Sequence, residues 1–376
     1  MTPRERYVTA ITFGRPDRVP LDPGWPREST LRVWTEQGLP AGSNWRECLL
    51  EHLGLQAEPS SPRTPLDVSF GMIPTFEERV LARRDGHLIV QDWMGAITEI
   101  SDVFDASYIR SAKDFVTRKW HRFPVESRSD WMEKIVWRYD SEDPLRYPDD
   151  FLVRCDALMS RDYVVGLTVN GPFWQLREWC GLENLCIMMV EQPDFVQEMI
   201  EFWAAFVTAV LGRVLAHVSL DYVQISEDMA FKLHSMISPK MARQSLLPVW
   251  LEWTSLIRRS GCPIVTMDSD GYVAELLPIW IEAGINCSVP MEVAAGNDIV
   301  AARCTYGRDM AYLGGIDKRA IAAGGDHMRD EVMRVVPPLL RDGGYIPGCD
   351  HGVPPDISWP DFVGYSRLLA QLTGWL

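Results

Sequence analysis

Several features that mark particular protein classes are missing from this sequence. Its 376 residues carry a formal net charge of −15, which argues against nucleic-acid binding because phosphate contacts need a basic face. It has no uninterrupted apolar run of about 20 residues, so a membrane span is not expected. The N-terminal residues contain no signal-peptide core, and the eight cysteines include no C-x-x-C pair. We therefore expect a cytoplasmic protein with reduced cysteines, and neither nucleic acid nor membrane as a partner.

Two chemical signatures are missing as well. No glycine-rich dinucleotide fingerprint follows the early strands, which argues against a nicotinamide-binding, doubly wound sheet. No nucleophile-elbow sequence is present, which argues against a Ser-His-Asp hydrolase.

What is present is a regular alternation of short apolar strands and longer helices. Predicted strands are Tyr163–Val169, Asp221–Ile225, Pro263–Met267, Ile285–Val289, Met310–Leu313 and Gly344–Ile346. Strands of this length separated by helices predict parallel βαβ units. Their number favours an α/β fold of the (β/α)8 TIM-barrel type over a doubly wound sheet. We predict a single domain over 1–376, in which 151–376 carries the regular repeats.

The first 150 residues predict an N-terminal helical and β embellishment together with the first strands. A capped helix begins at Thr2, where Thr2 and Glu5 have the spacing of a capping box and Pro3 stands in the first turn. Arg18–Asp22 predicts the first strand, and the Pro/Ser-rich segment Pro59–Pro65 predicts a loop. Arg79–Arg84, His87–Asp92 and Ile97–Ser101 predict three further strands.

Polar side chains follow nearly every predicted strand, where a barrel places its active site. They are Asp22, Asn170, Glu227, Asp228, Asp268, Asp270, Glu292, Asp317, Cys349, Asp350 and His351. One such carboxylate is a helix N-cap and nothing more, as Asp268 and Asp317 could each be. Many carboxylates around the mouth of one barrel repel each other unless a cation, a shared proton or a cationic substrate offsets their charge.

Two kinds of site fit these residues. The first is a metal site for Zn²⁺ or another divalent ion, held by Asp268, Asp270, Cys349 and His351. The second needs no metal, because a carboxyl group with a raised pKa does the acid–base work with His351 as its partner. The predicted catalytic residues are His351, Asp270, Asp228 and Glu227. The predicted substrate-binding residues are Trp25, Arg27, Asn170, Phe173, Trp174 and Asp350.

Motifs spread over the chain resemble those of the uroporphyrinogen decarboxylase superfamily, whose fold is a (β/α)8 barrel. They are Gly14–Pro20, Gly171–Trp174, Glu227–Lys232, Asp268–Gly271, Glu292–Gly296, Gly314–Arg319 and Gly343–Asp356. True decarboxylases of the superfamily carry an N-terminal Arg-Gln-Ala-Gly-Arg segment that clamps substrate carboxylates, and Leu21–Arg32 lacks it. His351 matches the C-terminal histidine of those enzymes. Porphyrinogen decarboxylation, which needs no cofactor, therefore stays as the alternative function.

The other branch of the superfamily consists of methyltransferases that work with corrinoid proteins or with thiol and folate acceptors. Its zinc is held by His-x-Cys after one strand and by a later cysteine. Here Asp268-Ser-Asp270 replaces the first pair, and Cys349 lies where the later cysteine is expected. The resemblance implies transfer of a methyl group from a small donor, such as a methoxylated aromatic or a methylated amine, to a corrinoid protein. A non-catalytic ligand-binding barrel and a homodimer remain open.

Overall fold

The computed structural model describes residues 1–60, 65–105, 108–111, 114 and 116–376. The predicted loop Pro59–Pro65 therefore lies partly outside the described residues. The chain divides into two compact units. The first contains Met1–Pro65, Asp156–Thr168 and Val218–Leu376, and the second contains Leu66–Cys155 and Val169–His217. The expectation of a single domain stays a prediction.

The described strands and helices follow the alternation that the sequence predicts from residue 163 onward. The strands are β1 (Arg79–Arg84), β2 (His87–Gln91), β3 (Ile97–Ser101), β4 (Lys119–Arg122), β5 (Gly166–Asn170), β6 (Tyr222–Ser226), β7 (Ile264–Asp268), β8 (Cys287–Val289), β9 (Ala311–Ile316) and β10 (Tyr345–Cys349). The helices up to residue 217 are α1 (Pro3–Ile11), α2 (Glu28–Glu36), α3 (Trp45–Leu53), α4 (Tyr108–Ser111), α5 (Arg128–Lys134), α6 (Phe151–Leu158), α7 (Pro172–Cys180), α8 (Leu182–Glu191) and α9 (Pro193–His217). The later helices are α10 (Pro239–Ser245), α11 (Leu247–Arg259), α12 (Leu277–Glu282), α13 (Ile299–Tyr306), α14 (Lys318–Ala323), α15 (Gly325–Asp342) and α16 (Trp359–Thr373).

The six strands β5 to β10 form one sheet in which each strand lies beside the next one along the chain. The pairs from β6 to β10 are all parallel. A doubly wound sheet reverses its strand order at a switch point, and this sheet has no such reversal among the described residues. The sequential order confirms the predicted α/β barrel class, and it places the carboxyl ends of the strands along one edge.

Helix α1 packs against the amino ends of these strands. Its Ala10 and Ile11 form a buried cluster with Ile264, Cys287, Ala311 and Ile346, which come from β7 to β10. The helix begins with the predicted capping box, in which Thr2 Oγ1 accepts from the Glu5 amide. The opposite edge of the sheet, at the carboxyl ends, is left for polar side chains.

The predicted first strand Arg18–Asp22 is wrong, because the structure has no strand there. Pro20 and Pro23 lack the N–H groups that a ladder needs. The chain instead pairs a few residues later, where Pro26 forms a parallel bridge with Val353 and Pro23 O accepts from the Cys349 amide. The N-terminal segment is thereby fixed beside the end of β10.

The second unit contains a four-stranded antiparallel sheet, ordered β1-β2-β3-β4. The three strands predicted between residues 79 and 101 are confirmed, and the predicted end of β2 was one residue too late. Asp85 and Gly86 connect β1 and β2 with positive φ at both residues. An Asp-Gly pair favours this hairpin turn.

Helix α9 is the one described helix that is long and apolar enough to cross a membrane by length and composition. Half of its most apolar window is buried within the protein. A buried core helix passes the same test, and Trp203, Val207 and Val210 are among its buried residues.

Candidate active site

A cavity of about 520 Å³ lies at the carboxyl ends of the parallel strands in the first unit. Four residues proposed from the sequence for metal binding or catalysis line it together: Asp268, Asp270, Cys349 and His351. Asp22 and Trp25 reach it from the N-terminal segment, and Gln224 reaches it from β6. The ionisable lining is therefore mostly acidic.

Asp268 ends β7 and is the most perturbed carboxyl group of this cavity. Its Oδ2 accepts hydrogen bonds from Ser226 Oγ at 2.9 Å and from Gln224 Nε2 at 3.1 Å. Burial raises the pKa of Asp268 to about 6, against the hydrogen bond from Ser226 and with help from the nearby charges of Asp270 and Asp228. A carboxyl group with this pKa still carries a proton in part of the molecules near neutral pH.

His351 connects Asp270 to Arg27. Its Nε2 lies 3.0 Å from Asp270 Oδ2, and its Nδ1 lies 3.1 Å from Arg27 Nη2. A guanidinium group only donates hydrogen bonds, so Nδ1 of the neutral ring must accept from Arg27. The proton of the neutral ring is then on Nε2, which donates to Asp270.

The charges around His351 act on its pKa in opposite directions. The hydrogen bond with Asp270 raises the pKa of His351 most, while burial and the charges of Lys318 and Arg27 lower it. A second proton on the ring would bind to Nδ1, and the resulting N–H group would face the N–H donor of Arg27. Protonation of His351 therefore breaks the contact with Arg27.

Glycines let the N-terminal segment lie directly on the end of β10. A Cβ at Gly348 would lie 2.6 Å from the carbonyl oxygen of Asp22, and a Cβ at Gly352 would lie 3.0 Å from the indole of Trp25. The Trp25 side chain is 58% exposed. This close approach carries Asp22, Trp25 and Arg27 to the cavity.

Two of the predicted site residues are fully buried and accept hydrogen bonds inside the protein. Glu227 Oε1 accepts from Trp250 Nε1 at 2.8 Å. Asp350 accepts from the amides of Val293 and Lys318 at 2.8 and 3.0 Å. These contacts fix the loops behind the cavity, and the catalytic role of Glu227 and the substrate-binding role of Asp350 stay predictions.

Asp228 is partly exposed and has φ +38°, a left-handed backbone conformation that is unusual for aspartate. Its amide donates to the carbonyl oxygen of Asp268 at 3.3 Å. Backbone strain of this kind concentrates at functional sites. The negative charge of Asp228 also raises the pKa of Asp268.

The remaining predicted residues lie in the second unit. Asn170 donates from Nδ2 to Gln175 Oε1 at 3.2 Å, and Phe173 is 1% exposed. The Arg177 guanidinium lies 4.7 Å from the centroid of the Trp174 ring. Their assignment to substrate binding stays a prediction.

Sequence reasoning missed Gln224 and assigned no role to Ser226, although both donate hydrogen bonds to Asp268. Both lie on β6, two residues apart, and side chains at this spacing point to the same face of a strand. A polar glutamine inside the otherwise apolar segment Tyr222–Ile225 was the available signal.

The model of the family described as Uroporphyrinogen decarboxylase (URO-D) matches residues 161–361, more than half of the chain. The chain belongs to this family. The match includes Asp268, Asp270 and His351, so the described cavity lies within the family domain. No curated protein matches the sequence.

Solved structures extend the likeness of this URO-D protein to its full length. A methyltransferase from Methanosarcina mazei aligns over 100% of this chain and 98% of its own, with a TM-score of 0.56 and 12% identity. At that identity the likeness shows the fold. A Listeria monocytogenes protein assigned as a vitamin-B12 independent methionine synthase aligns over 60% of this chain and 68% of its own, with a TM-score of 0.33 and 9% identity.

The zinc that the methyltransferase branch implies does not fit the side chains present. Among the described residues, no three His, Cys, Asp or Glu side chains form a group that could hold a metal ion. The Cys349 thiol is buried and donates to Asp350 Oδ1 at 4.0 Å. Lys318 Nζ donates a hydrogen bond to Glu292 Oε1 at 2.8 Å.

Proposed function

We propose that this URO-D protein is a methyltransferase that removes a methyl group from a small methoxyl-bearing donor, with Asp268 as the general acid. The observation that carries the proposal is the partly buried Asp268 carboxyl group on the cavity wall, whose pKa is raised to about 6. A full-length fold neighbour described as a methyltransferase supports the same class of reaction, whereas the description of the family model fits the decarboxylase alternative.

The reaction needs a proton on the oxygen atom of the leaving group. An acceptor nucleophile attacks the methyl carbon, and the carbon–oxygen bond breaks with its electron pair passing to oxygen. Asp268 transfers its proton to that oxygen, so the donor leaves as an alcohol or a phenol rather than as its anion.

The neighbouring polar groups act on the protonation of Asp268 in both directions. Asp270 places a negative charge near Asp268, which favours the neutral carboxyl form. His351 holds Asp270 through Nε2, and Arg27 holds His351 through Nδ1. In this proposal these contacts hold Asp270 in place, while burial is the main cause of the raised pKa of Asp268 and the charge of His351 opposes it.

The pH dependence distinguishes the two donors that the sequence suggests. A methoxyl donor is neutral and needs protonated Asp268, so its rate falls as the pH rises through about 6. A methylated ammonium donor is a cation that binds best to ionised Asp268, so its rate rises over the same interval. We propose the methoxyl donor because the partial burial of Asp268 favours the neutral carboxyl group.

The acceptor follows from the resemblance, and both it and the cellular setting are proposals. We propose that the methyl group passes to a corrinoid carried by a partner protein in the cytoplasm. The corrinoid supplies the nucleophile, and the residues described here bind and protonate the donor.

The test follows demethylation of 2-methoxyphenol with free cob(I)alamin as the acceptor, measured as the phenolic product by chromatography. Asp268→Asn keeps the shape of the side chain and removes the acid, so the rate should fall by about 100-fold or more. Asp317→Asn is the matched control, because Asp317 also follows a strand but caps α14 by accepting from the Arg319 amide. Equal rates in both variants would contradict the role of Asp268.

Porphyrinogen decarboxylation is the second candidate, because Arg27 brings a guanidinium group to His351 beside the cavity. A substrate with eight carboxylates would meet the charges of Asp22, Asp268 and Asp270 there. We therefore expect no release of CO2 from uroporphyrinogen. Its turnover, without any demethylation, would reverse the order of the two candidates, and activity on neither would favour a binding protein.

A further inference from the structure

A second cavity, of about 710 Å³, lies in the first unit at the amino end of β10. The first residue of that strand, Tyr345, lines it, whereas the candidate active site lies at the carboxyl end of the same strand. Phe13 and Gly14, which follow α1, form another part of its wall. Its residues take no part in the proposed methyl transfer.

This cavity is basic in a chain that is acidic overall. Arg15, Arg303, Arg308 and Arg341 line it, and Asp342 is the acidic residue that the described lining contains. Three of these arginines are exposed at the rim, and Arg303 is buried. Four guanidinium groups around one carboxylate give a local positive field within a net charge of −15.

Arg303 is the unusual member of this group. It is 6% exposed, and its Nη2 donates to the carbonyl oxygen of Gly344 at 2.9 Å. Its Nε and Nη1 are buried and have no hydrogen-bond partner among the described residues. A buried cation with unsatisfied donors is costly unless an anion lies close by.

Aromatic rings hold this guanidinium in place. Its central carbon lies 4.7 Å from the centroid of the Phe13 ring and 5.2 Å from that of Tyr312. The guanidinium of Arg308 lies 5.0 Å from the same Phe13 ring. A Cβ at Gly344 would lie 2.3 Å from that ring, so this glycine is what allows the arrangement.

We propose that this cavity binds a small organic anion, whose oxyanion head group is held by the arginines and whose apolar body lies against Ala10, Val19 and Leu340. Guanidinium groups pair with phosphate and carboxylate oxygens in a two-pronged geometry. The volume suits a ligand of metabolite size. The bound anion compensates the charge of Arg303.

The test is isothermal titration calorimetry of the intact protein with three ligands that share one ring: phenyl phosphate, benzoate and phenol. The two anions should bind and the neutral phenol should not, and binding should weaken with added salt. The tighter of the two anions identifies the head group as phosphate or carboxylate. Binding of phenol as tight as that of both anions, or no heat from either anion, would overturn the proposal.

Variants locate the site. Arg308→Gln should weaken anion binding by about tenfold, as expected for loss of one charge-assisted hydrogen bond. Arg303→Met should also weaken anion binding, because it removes a buried positive charge beside the cavity. Arg308 is exposed, so its substitution tests the site even where Arg303→Met fails to fold. Arg329→Gln, an exposed position on α15, is the matched control and should bind like the unchanged protein.

A final arm separates this site from the proposed active site. Asp268→Asn should lose demethylation and keep full anion binding, because Asp268 lines the other cavity. Loss of anion binding in Asp268→Asn, or equal loss in Arg329→Gln and Arg308→Gln, would refute the location at the amino end of β10.

Discussion

Removing the hydroxyl group of Ser226 should raise activity at neutral pH. Ser226 Oγ donates to Asp268 Oδ2 at 2.9 Å and so stabilises the ionised carboxylate. Ser226→Ala leaves the weaker contact with Gln224 Nε2 at 3.1 Å. The substitution should therefore make the carboxyl group harder to ionise, while its burial and its negative neighbours stay the same.

The size of the effect follows from the hydrogen bond. A bond to a charged acceptor contributes about 1.5 kcal/mol, which corresponds to a shift of about one pH unit. With a pKa of about 6, about a tenth of the protein carries the proton at pH 7. A shift of about one pH unit raises that share to about half, which gives about a fivefold higher kcat/KM at pH 7.

Two measurements check this result independently. The descending limb of the pH profile of 2-methoxyphenol demethylation should move to higher pH, and the carbon-13 titration of the Asp268 carboxyl group should move with it. Ser288→Ala makes the same change at a buried serine that contacts Met291 instead, and it should leave both curves in place. A limb that stays fixed or moves to lower pH in Ser226→Ala would refute the reasoning.

Three further predictions follow from the same cavity. Arg27→Gln removes a positive charge that lowers the pKa of His351, so nitrogen-15 titration should place that pKa higher than in the unchanged protein; an equal or lower value would contradict the contact. Cys349→Ser should keep demethylation within about twofold, because the buried thiol stays protonated; a large loss together with lost zinc would restore the metal site. The raised pKa of Asp268 favours the folded state at low pH, so this contribution, about 3 kcal/mol, is lost as the pH rises from about 4 through about 6. In urea unfolding, the free energy of unfolding of Asp268→Asn should not show this decrease with rising pH.

The sequence was sufficient to predict the repeating units and the edge of the sheet that carries the site. Strands of apolar residues with polar residues at their ends gave β6 to β10 close to their true bounds. Asp268, Asp270, Cys349 and His351 line one cavity because parallel strands bring their carboxyl ends to the same edge.

The direction of individual side chains could not be predicted in the same way. Glu227 and Asp350 follow strands just as Asp270 and His351 do, yet both point into buried hydrogen bonds. Neighbouring residues after a strand point to different sides, and the turn that decides between them depends on distant contacts. Gln224 was missed because it lies inside a strand rather than at its end.

The sign of the pH dependence tests the central claim most directly. Initial rates of 2-methoxyphenol demethylation should be measured from pH 5 to 8 in the unchanged protein and in Asp268→Asn. We predict that kcat/KM of the unchanged protein falls as the pH rises through about 6, and that the variant has a low rate without this limb. A rate that rises over the interval, or a variant with the same profile as the unchanged protein, would contradict Asp268 as the general acid.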